Sequence, residues 1–589
     1  MIVTPAVGTF AQAMLLTFWD WAIIGTYLGL ALAIGLLLRR RASGSLDDFF
    51  LAGRNLPWWL AGTSMVATTF AADTPLAVTE YVRTDGIWRN WFWWSMALFH
   101  VLGVFLFSRL WRRARVLTDA ELCELRYSGR AATTLRGLKA FLFAVPYNVL
   151  VMGWVIAAMA SVAEQMLGIE AWVAVSVLCL VSLVYAGLSG LWGVVITDLL
   201  QFGLALGGTV AFAVLAVNRV GGLEELITKV AAADPTGNTL RMVPAMMTET
   251  STHLPEPHPL YDPRLQFIVF VSVMWWANHN ADCGGALMQR SSAARDERHA
   301  LWASFWFSLM HYAVRAWPWI LVALCSLVLI APGDVSHRDA YPRLMAELLP
   351  TGLRGVLVAA FLAAFMSTID THLNWGASYL VGDLYRRLLR PHAQERHYLL
   401  VARLATVLLM GLAALTATQI KSITAAWELV WTLGAGLGPV LILRWFWWRI
   451  NAWSELTALG TSLAFALVLP AFDLPVHLKA LILVPATIAC WLTVTLLTPA
   501  VDPDRLAAFY DRVRPGGAWH PVTASASPAP DRVLTWAIGL DFAAGLGAIY
   551  GLGFGIGQLL LGSSTAGYGL LTLAALSTGV LYLRHGRAR

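Results

Sequence analysis

The chain has 589 residues, 58% of them hydrophobic and only 13% charged, with a net charge of +6. A soluble protein carries about a quarter charged residues, so this composition excludes an ordinary water-soluble globule. Apolar stretches of about 20 residues recur along the chain, each long enough to cross a ~30 Å hydrocarbon layer as a helix. The expected fold class is therefore all-α, a polytopic membrane protein, and the 28 Trp suit it because Trp concentrates at the two membrane interfaces.

In chain order the spans fall at about 18–38, 57–82, 88–110, 138–163, 169–187, 191–217, 264–285, 301–331, 352–384, 397–417, 423–444, 453–471, 476–499, 533–560 and 565–583, about fifteen helices in all. The first 38 residues hold no Lys or Arg, which argues against a cleaved signal peptide with a basic start. Arg39, Arg40 and Arg41 follow, and threading the spans from an outside N-terminus puts about 28 Lys/Arg on the cytoplasmic side against about 11 outside. The expected placement is the plasma (inner) membrane, N-terminus outside and C-terminus cytoplasmic. The +6 charge then reports topology, and no basic cluster sits in a nucleic-acid-binding motif, so no nucleic-acid partner is expected. The five cysteines show no CxxC pair and read as small packing residues.

Ionisable groups at membrane depth cost about 2.5–3.5 kcal/mol on insertion scales and mark function or pairing. The second span, WWLAGTSMVATTFAADTPLAVTEY, carries Thr68, Thr69, Asp73 and Thr74 before Pro75, which removes a backbone donor. A helix broken there frees carbonyl oxygens that are tolerated only where they line a cavity or bind something. The seventh span also reads as broken, with Asn278, His279, Asn280 and Asp282 ahead of Gly284–Gly285. Each alone could be a packing kink. Two interrupted helices at corresponding positions point to a transporter built from inverted repeats.

Arg315 falls mid-helix and must find an anion. The candidates are Asp73, Asp282 or Asp370 in a structural pair, or a bound carboxylate or sugar hydroxyls. His311, one turn earlier, reads as a hydrogen-bonded core residue. In the 352–384 span, Ala364, Ser367, Thr368, Asp370, Thr371, Asn374 and Ser378 share a face. Hydroxyls and a carboxylate in a row are hard oxygen ligands suited to an alkali or alkaline-earth cation. The alternative is a stripe that hydrogen-bonds a neighbouring helix. His372 lies off that face.

Several segments, taken together and in order, resemble the sodium:solute symporter family over roughly Asp47 to Glu455. They are DDFFLAGRNLPWWLAGTSMVAT, TDAELCELRY, YAGLSGLWGVVITDLLQ, MQRSSAARDERHA and AAFMSTIDTHLNWGASYLVGDLYRR. The resemblance implies a LeuT-type 5+5 inverted repeat. Residues 57–217 would form the first repeat and 264–445 the second, joined by an external loop at 218–263. An accessory helix and loop (1–56) would precede them. Accessory helices (446–499), a cytoplasmic linker (500–532) and two further accessory helices with a basic tail (533–589) would follow. It implies a Na+ site made by the backbone carbonyls of Ala67, Phe70 and Ala364 and the hydroxyls of Ser367 and Thr368. A second Na+ site would use Asp198, Ser367, Asp370 and Thr371. Substrate positions fall on Thr69, Asp73 and Thr74, and further on Asn278, His279, Asp282 and Arg315. Asp73 and Asp370 depart from the small or other polar residues of many members, and RWFWWRINAWSE suggests a distinct subgroup.

The expected function is Na+-coupled import of a small polar organic solute, a sugar or sugar acid by the polar groups available, through alternating access. Partners are then that small molecule, sodium and the lipid bilayer. Proton coupling through Asp73 or Asp370 is the alternative within the same fold. A transporter-like sensor would usually append a signalling domain, and only RHGRAR follows the last helix. HExxH, GxSxG and GxxxxGK[ST] are all missing, and Asp370 and His372 point to different faces, so an enzyme is not expected, nor an organic cofactor.

Overall fold

The computed structural model describes residues 16–38, 52–116, 118–234, 237–245, 259–472, 474–523 and 534–586, with the side chains of 184–190 left aside. Arg39 to Arg41, the middle of the 218–263 loop and part of the 500–532 segment lie outside them. The described chain is helical throughout, apart from two isolated bridges.

In chain order the principal helices are α1 (Phe18–Leu38), α2 (Trp58–Thr69), α3 (Thr74–Thr84), α4 (Ile87–Ala114), α5 (Gly129–Leu167), α6 (Ala171–Leu183) and α7 (Leu191–Val220), with short helices such as Leu223–Ala233 and Ala340–Leu348 between them and later ones. Then follow α8 (Pro263–Ala277), α9 (Ala286–Ala293), α10 (Glu297–Leu329), α11 (Leu353–Leu389), α12 (Glu395–Ala417), α13 (Ile423–Gly434) and α14 (Gly438–Phe446). The last are α15 (Ala452–Val468), α16 (Val476–Leu497), α17 (Pro503–Val513), α18 (Ala537–Leu561) and α19 (Ser564–His585). Among the described residues ten helices are long and apolar enough to cross a membrane, or eleven if the bent pair α13/α14 is one span. That is fewer than the fifteen expected. The reason is physical for most of the difference: α2/α3 and α8/α9 are each cut into short pieces and α15 is a short apolar helix, while α6 runs on into α7 as one helix, Ala171–Val220.

The first break has a local cause. Pro75 is tolerated at the start of α3 because its missing N–H would be unpaired there anyway. Upstream, the Phe70 N–H turns back onto the carbonyls of Val66 (2.8 Å) and Ala67 (3.0 Å) and ends α2. The second break runs from Asn278 to Gly285, with Cys283 and Gly285 at positive φ (56° and 74°). Asn278 holds it: its amide donates to the Trp275 carbonyl (2.9 Å) and its carbonyl accepts the Asn280 N–H (2.7 Å). The third break, between α13 and α14, lies directly on the second, with Gly436 N–H bonded to the Ala277 carbonyl at 2.8 Å.

The core surrounds these breaks. In α11, 83% of the apolar window is buried, against 22% for α19 and 28% for α1 and α12, which therefore form the outer, lipid-facing shell. The described part of the segment read as a cytoplasmic linker, 500–523, is folded: α17 buries Leu506, Phe509, Tyr510 and Val513, with Trp519 stacked on Phe509 at 5.8 Å. Helix α18 packs on the core too, through Trp317 Nε1 to the Gly553 carbonyl (2.7 Å) and Tyr550 to the Trp94 carbonyl (2.9 Å).

Candidate functional site

The end of α2 meets the polar stripe of α11. Thr368 Oγ1 donates to the Thr68 carbonyl (2.8 Å) and to its own helix at Ala364 (3.0 Å). Phe70 and Ala364 line one small cavity with Pro75 and Phe361. Ala67, Phe70, Ala364, Ser367 and Thr368, named from the resemblance, thus come from two helices that touch here, and all five are buried. Their oxygens are carbonyls and hydroxyls. Among the described residues no cluster of three His, Cys, Asp or Glu exists that would suit a softer metal.

One turn further along α11 lies a charged cluster. Asp198, on α7, accepts Ser367 Oγ (2.5 Å) and Ser64 Oγ (2.5 Å). Arg290, on α9, donates to Ser64 (3.0 Å), Thr68 (2.7 Å) and Thr371 (2.7 Å), and its field reaches Asp198. Asp370 is 2% exposed, and neither of its carboxylate oxygens has a hydrogen-bond partner. Asp198, Ser367, Asp370 and Thr371 therefore share one neighbourhood with a resident guanidinium, which the sequence reading missed. A signal was available, since Arg290 lies in the MQRSSAARDERHA segment. With the span ended at 285, it counted as one more cytoplasmic loop charge.

The substrate candidates separate into two groups. Asp73 is 2% exposed and follows the first break, with its Oδ2 accepting Trp427 Nε1 of α13 at 3.0 Å and Trp154 of α5 alongside. Its Oδ1 has no partner. His279, in the second break, faces Tyr147 and Phe143 of α5 (ring centroids 4.6 and 5.8 Å) and abuts Gly434 of α13, with both ring nitrogens unpartnered. On α5, Tyr147 and Trp154 are seven residues apart, as are Trp427 and Gly434 on α13. Two turns of helix, about 10 Å, therefore separate Asp73 from His279 along both flanking helices. Asn278 serves as the cap of the break.

Two candidates are placed differently from expectation. Arg315 pairs with none of Asp73, Asp282 or Asp370 among the described residues. A wide helical turn at Met310–Val314, closed by Arg315 N–H to the Met310 carbonyl (3.2 Å), presents it beneath the first break. There it donates to the Val66 carbonyl (3.2 Å) and to His311, and it stacks on Phe70 and Trp319 (5.6 and 5.3 Å). Thr69 joins the same knot through His311 (3.0 Å), and Thr74 is buried at the start of α3. Asp282 is turned away from Asp73: Oδ2 accepts Arg444 (2.6 Å) and Trp445 (2.9 Å), and its carbonyl accepts Trp111 (2.7 Å). Arg444 also bridges to Glu455 (3.3 Å), so the charge of Asp282 is compensated within the chain. His372 is held by Asn148 (2.5 Å), the structural part its off-face position suggested.

Comparison with known proteins meets this geometry. A sodium/mannose cotransporter of Bos taurus is 26% identical over 76% of this chain and 78% of its own. A sodium/glucose cotransporter of Vibrio parahaemolyticus is 25% identical over 77% of this chain and 85% of its own. A solved Na+-coupled sialic acid symporter superposes with a TM-score of 0.69 at 20% identity, covering 82% of this chain and 99% of that one, and so shares the fold. The sodium:solute symporter family matches residues 49–459. The chain is an integral membrane transporter, not an enzyme, and belongs to the sodium:solute symporter family.

Proposed function

We propose that this protein imports a small, hydroxyl-rich organic solute together with sodium, by alternating access in a 5+5 inverted-repeat core, with its N-terminus outside and C-terminus cytoplasmic. One observation carries the reading: the broken end of α2 meets the hydroxyl stripe of α11 at the Thr368–Thr68 contact, where neutral oxygens from two helices converge. Sodium at Ala67, Phe70, Ala364, Ser367 and Thr368 would join the two helices, and its loss would release them. The sugar cotransporters among the relatives support the solute class. One charge crossing 100 mV supplies about 2.3 kcal/mol, roughly fifty-fold accumulation at ~1.4 kcal/mol per decade.

A second cation at Asp198, Ser367, Asp370 and Thr371 is proposed with Asp370 as its free anionic ligand. Arg290 is its competitor, because the Thr371 hydroxyl already accepts from that guanidinium. A proton on Asp370 is the second reading, favoured by the same two unpartnered oxygens. The test is the melting temperature of purified protein in NaCl against KCl, followed by the sodium dependence of uptake into proteoliposomes. Sodium stabilisation that Thr368→Ala abolishes supports the first site. Equal melting in the two salts sinks it. A Hill coefficient near two that falls to one in Asp370→Ala supports the second cation, and an unchanged coefficient removes it. Uptake that needs only an imposed pH gradient assigns the coupling to protons.

A further inference from the structure

Two carboxylates share one face at α3, Asp73 at its N-cap and Glu80 within it, and among the described residues neither is paired with a cation. Asp73 has its Oδ1 free and its Oδ2 on an indole. Glu80, seven residues and two turns outward, accepts the hydroxyls of Ser422 and Thr424 (2.8 Å each) through Oε1, while Oε2 is buried without a partner. The guanidinium groups near this seam make their main contacts elsewhere. Arg83 donates to Ser326 (2.7 and 3.0 Å), and Arg89 pairs with Glu428 (2.7 Å). Arg315, whose field reaches Asp73, donates to the Val66 carbonyl and His311 and lies over two aromatic faces, with its Nε unpartnered.

A buried carboxylate normally has a cation, a metal or several donors. Asp73 has only indole side-chain donors, Trp427 at 3.0 Å and, with a smaller effect, Trp154, and Tyr81 stands edge-on to Trp427 at 6.3 Å. Carboxylate and indole faces together attract a cation, by charge and by the ring quadrupole. A neutral solute could satisfy the free oxygen and leave the charge. An acid would bring like charge against Asp73 and Glu80. About 10 Å beyond Asp73, between α5 and α13, Tyr147 and His279 offer a hydrogen-bonding end.

We infer that the solute is a hydroxylated organic cation, a protonated amine of amino-sugar size, with Asp73 as its counter-ion and Glu80 as the outer carboxylate that draws it in. This rests on the symporter reading above and specifies the charge of its substrate.

The test uses the purified full-length protein in NaCl, with tryptophan fluorescence and melting temperature as readouts. The panel is glucosamine, galactosamine and ethanolamine, their neutral counterparts glucose, galactose and ethylene glycol, and the acids glucuronate and galacturonate. At least one amine should bind ten-fold or more tightly than its neutral counterpart, with no response to either acid. Asp73→Asn should weaken that amine at least ten-fold and leave the sodium-induced shift intact, whereas Asp73→Glu should retain part of the affinity. A neutral sugar or an acid binding as well as every amine overturns the proposal, and so does a panel in which no amine binds while sodium still stabilises. It is equally overturned if Asp73→Asn binds the amine unchanged, or alters only the sodium response. If both variants fail to fold, the wild-type panel still decides. Failure of sodium itself to stabilise the wild type counts against the symporter reading, separately.

Discussion

Both broken spans carry an aspartate, Asp73 just after the first break and Asp282 within the second, and their surroundings are opposite. Asp282 is closed in by Arg444 at 2.6 Å, Trp445 at 2.9 Å and, beyond Arg444, Glu455. Asp73 keeps one oxygen free and has only indoles as side-chain donors. Two acidic residues of equal burial, 1% and 2% exposed, thus do different work. One is compensated within the chain and locks α14 and α15 to the second break. The other lacks a cation from the chain, and that is the condition under which a ligand can supply one.

The contrast can be broken at its closed end first. Arg444→Met should destabilise the protein by about 3–5 kcal/mol, because it strands the buried Asp282 and Glu455, and thermal unfolding in detergent would show it. An unaltered melting temperature would mean that the network is not the lock described here. Next in size, Gly438→Ala puts a Cβ 1.8 Å from the Trp276 carbonyl, a backbone atom that cannot swing aside. A loss of about 1–3 kcal/mol is expected, whereas Gly460→Ala, with nothing within 4 Å, should be neutral or slightly stabilising. Thr368→Ala removes the hydroxyl that joins α11 to the Thr68 carbonyl and should cost about 1 kcal/mol without ligand. The smallest effect is expected at the open end. Asp73→Asn should leave ligand-free stability unchanged or raise it, since no ion pair is lost and a buried charge without a cation is removed. A loss as large as that of Arg444→Met would place Asp73 in the same class as Asp282 and erase the distinction.

The membrane class, the two broken spans and the hydroxyl stripe were legible in the sequence, because apolar length, Pro75, the Gly284–Gly285 pair and the run Ser367–Thr368 each act locally. So were the structural parts of His311 and His372. The partners of charged residues were not legible. Arg444 lies 162 positions from Asp282 and Arg290 lies 81 positions from Thr371, and nothing in the intervening chain announces either contact. Trp154 and Trp427 passed as two of many tryptophans suited to the membrane interface, yet the packing of α5 and α13 around the first break sets them at Asp73. Arg315 was recognised as needing a partner. The wide turn before it decided that the partner is a helix end and two aromatic rings.

By itself, then, the sequence determined that this chain crosses a membrane, where two of its three broken spans lie, and which face of α11 is rich in oxygens. Those properties follow from hydrophobic length, from proline and glycine backbone limits and from helical periodicity, all of which act within a few residues. Only the tertiary structure decided which buried charges are answered. Compensation depends on which helices lie within a few ångströms of each other, and a linear pattern does not encode that distance.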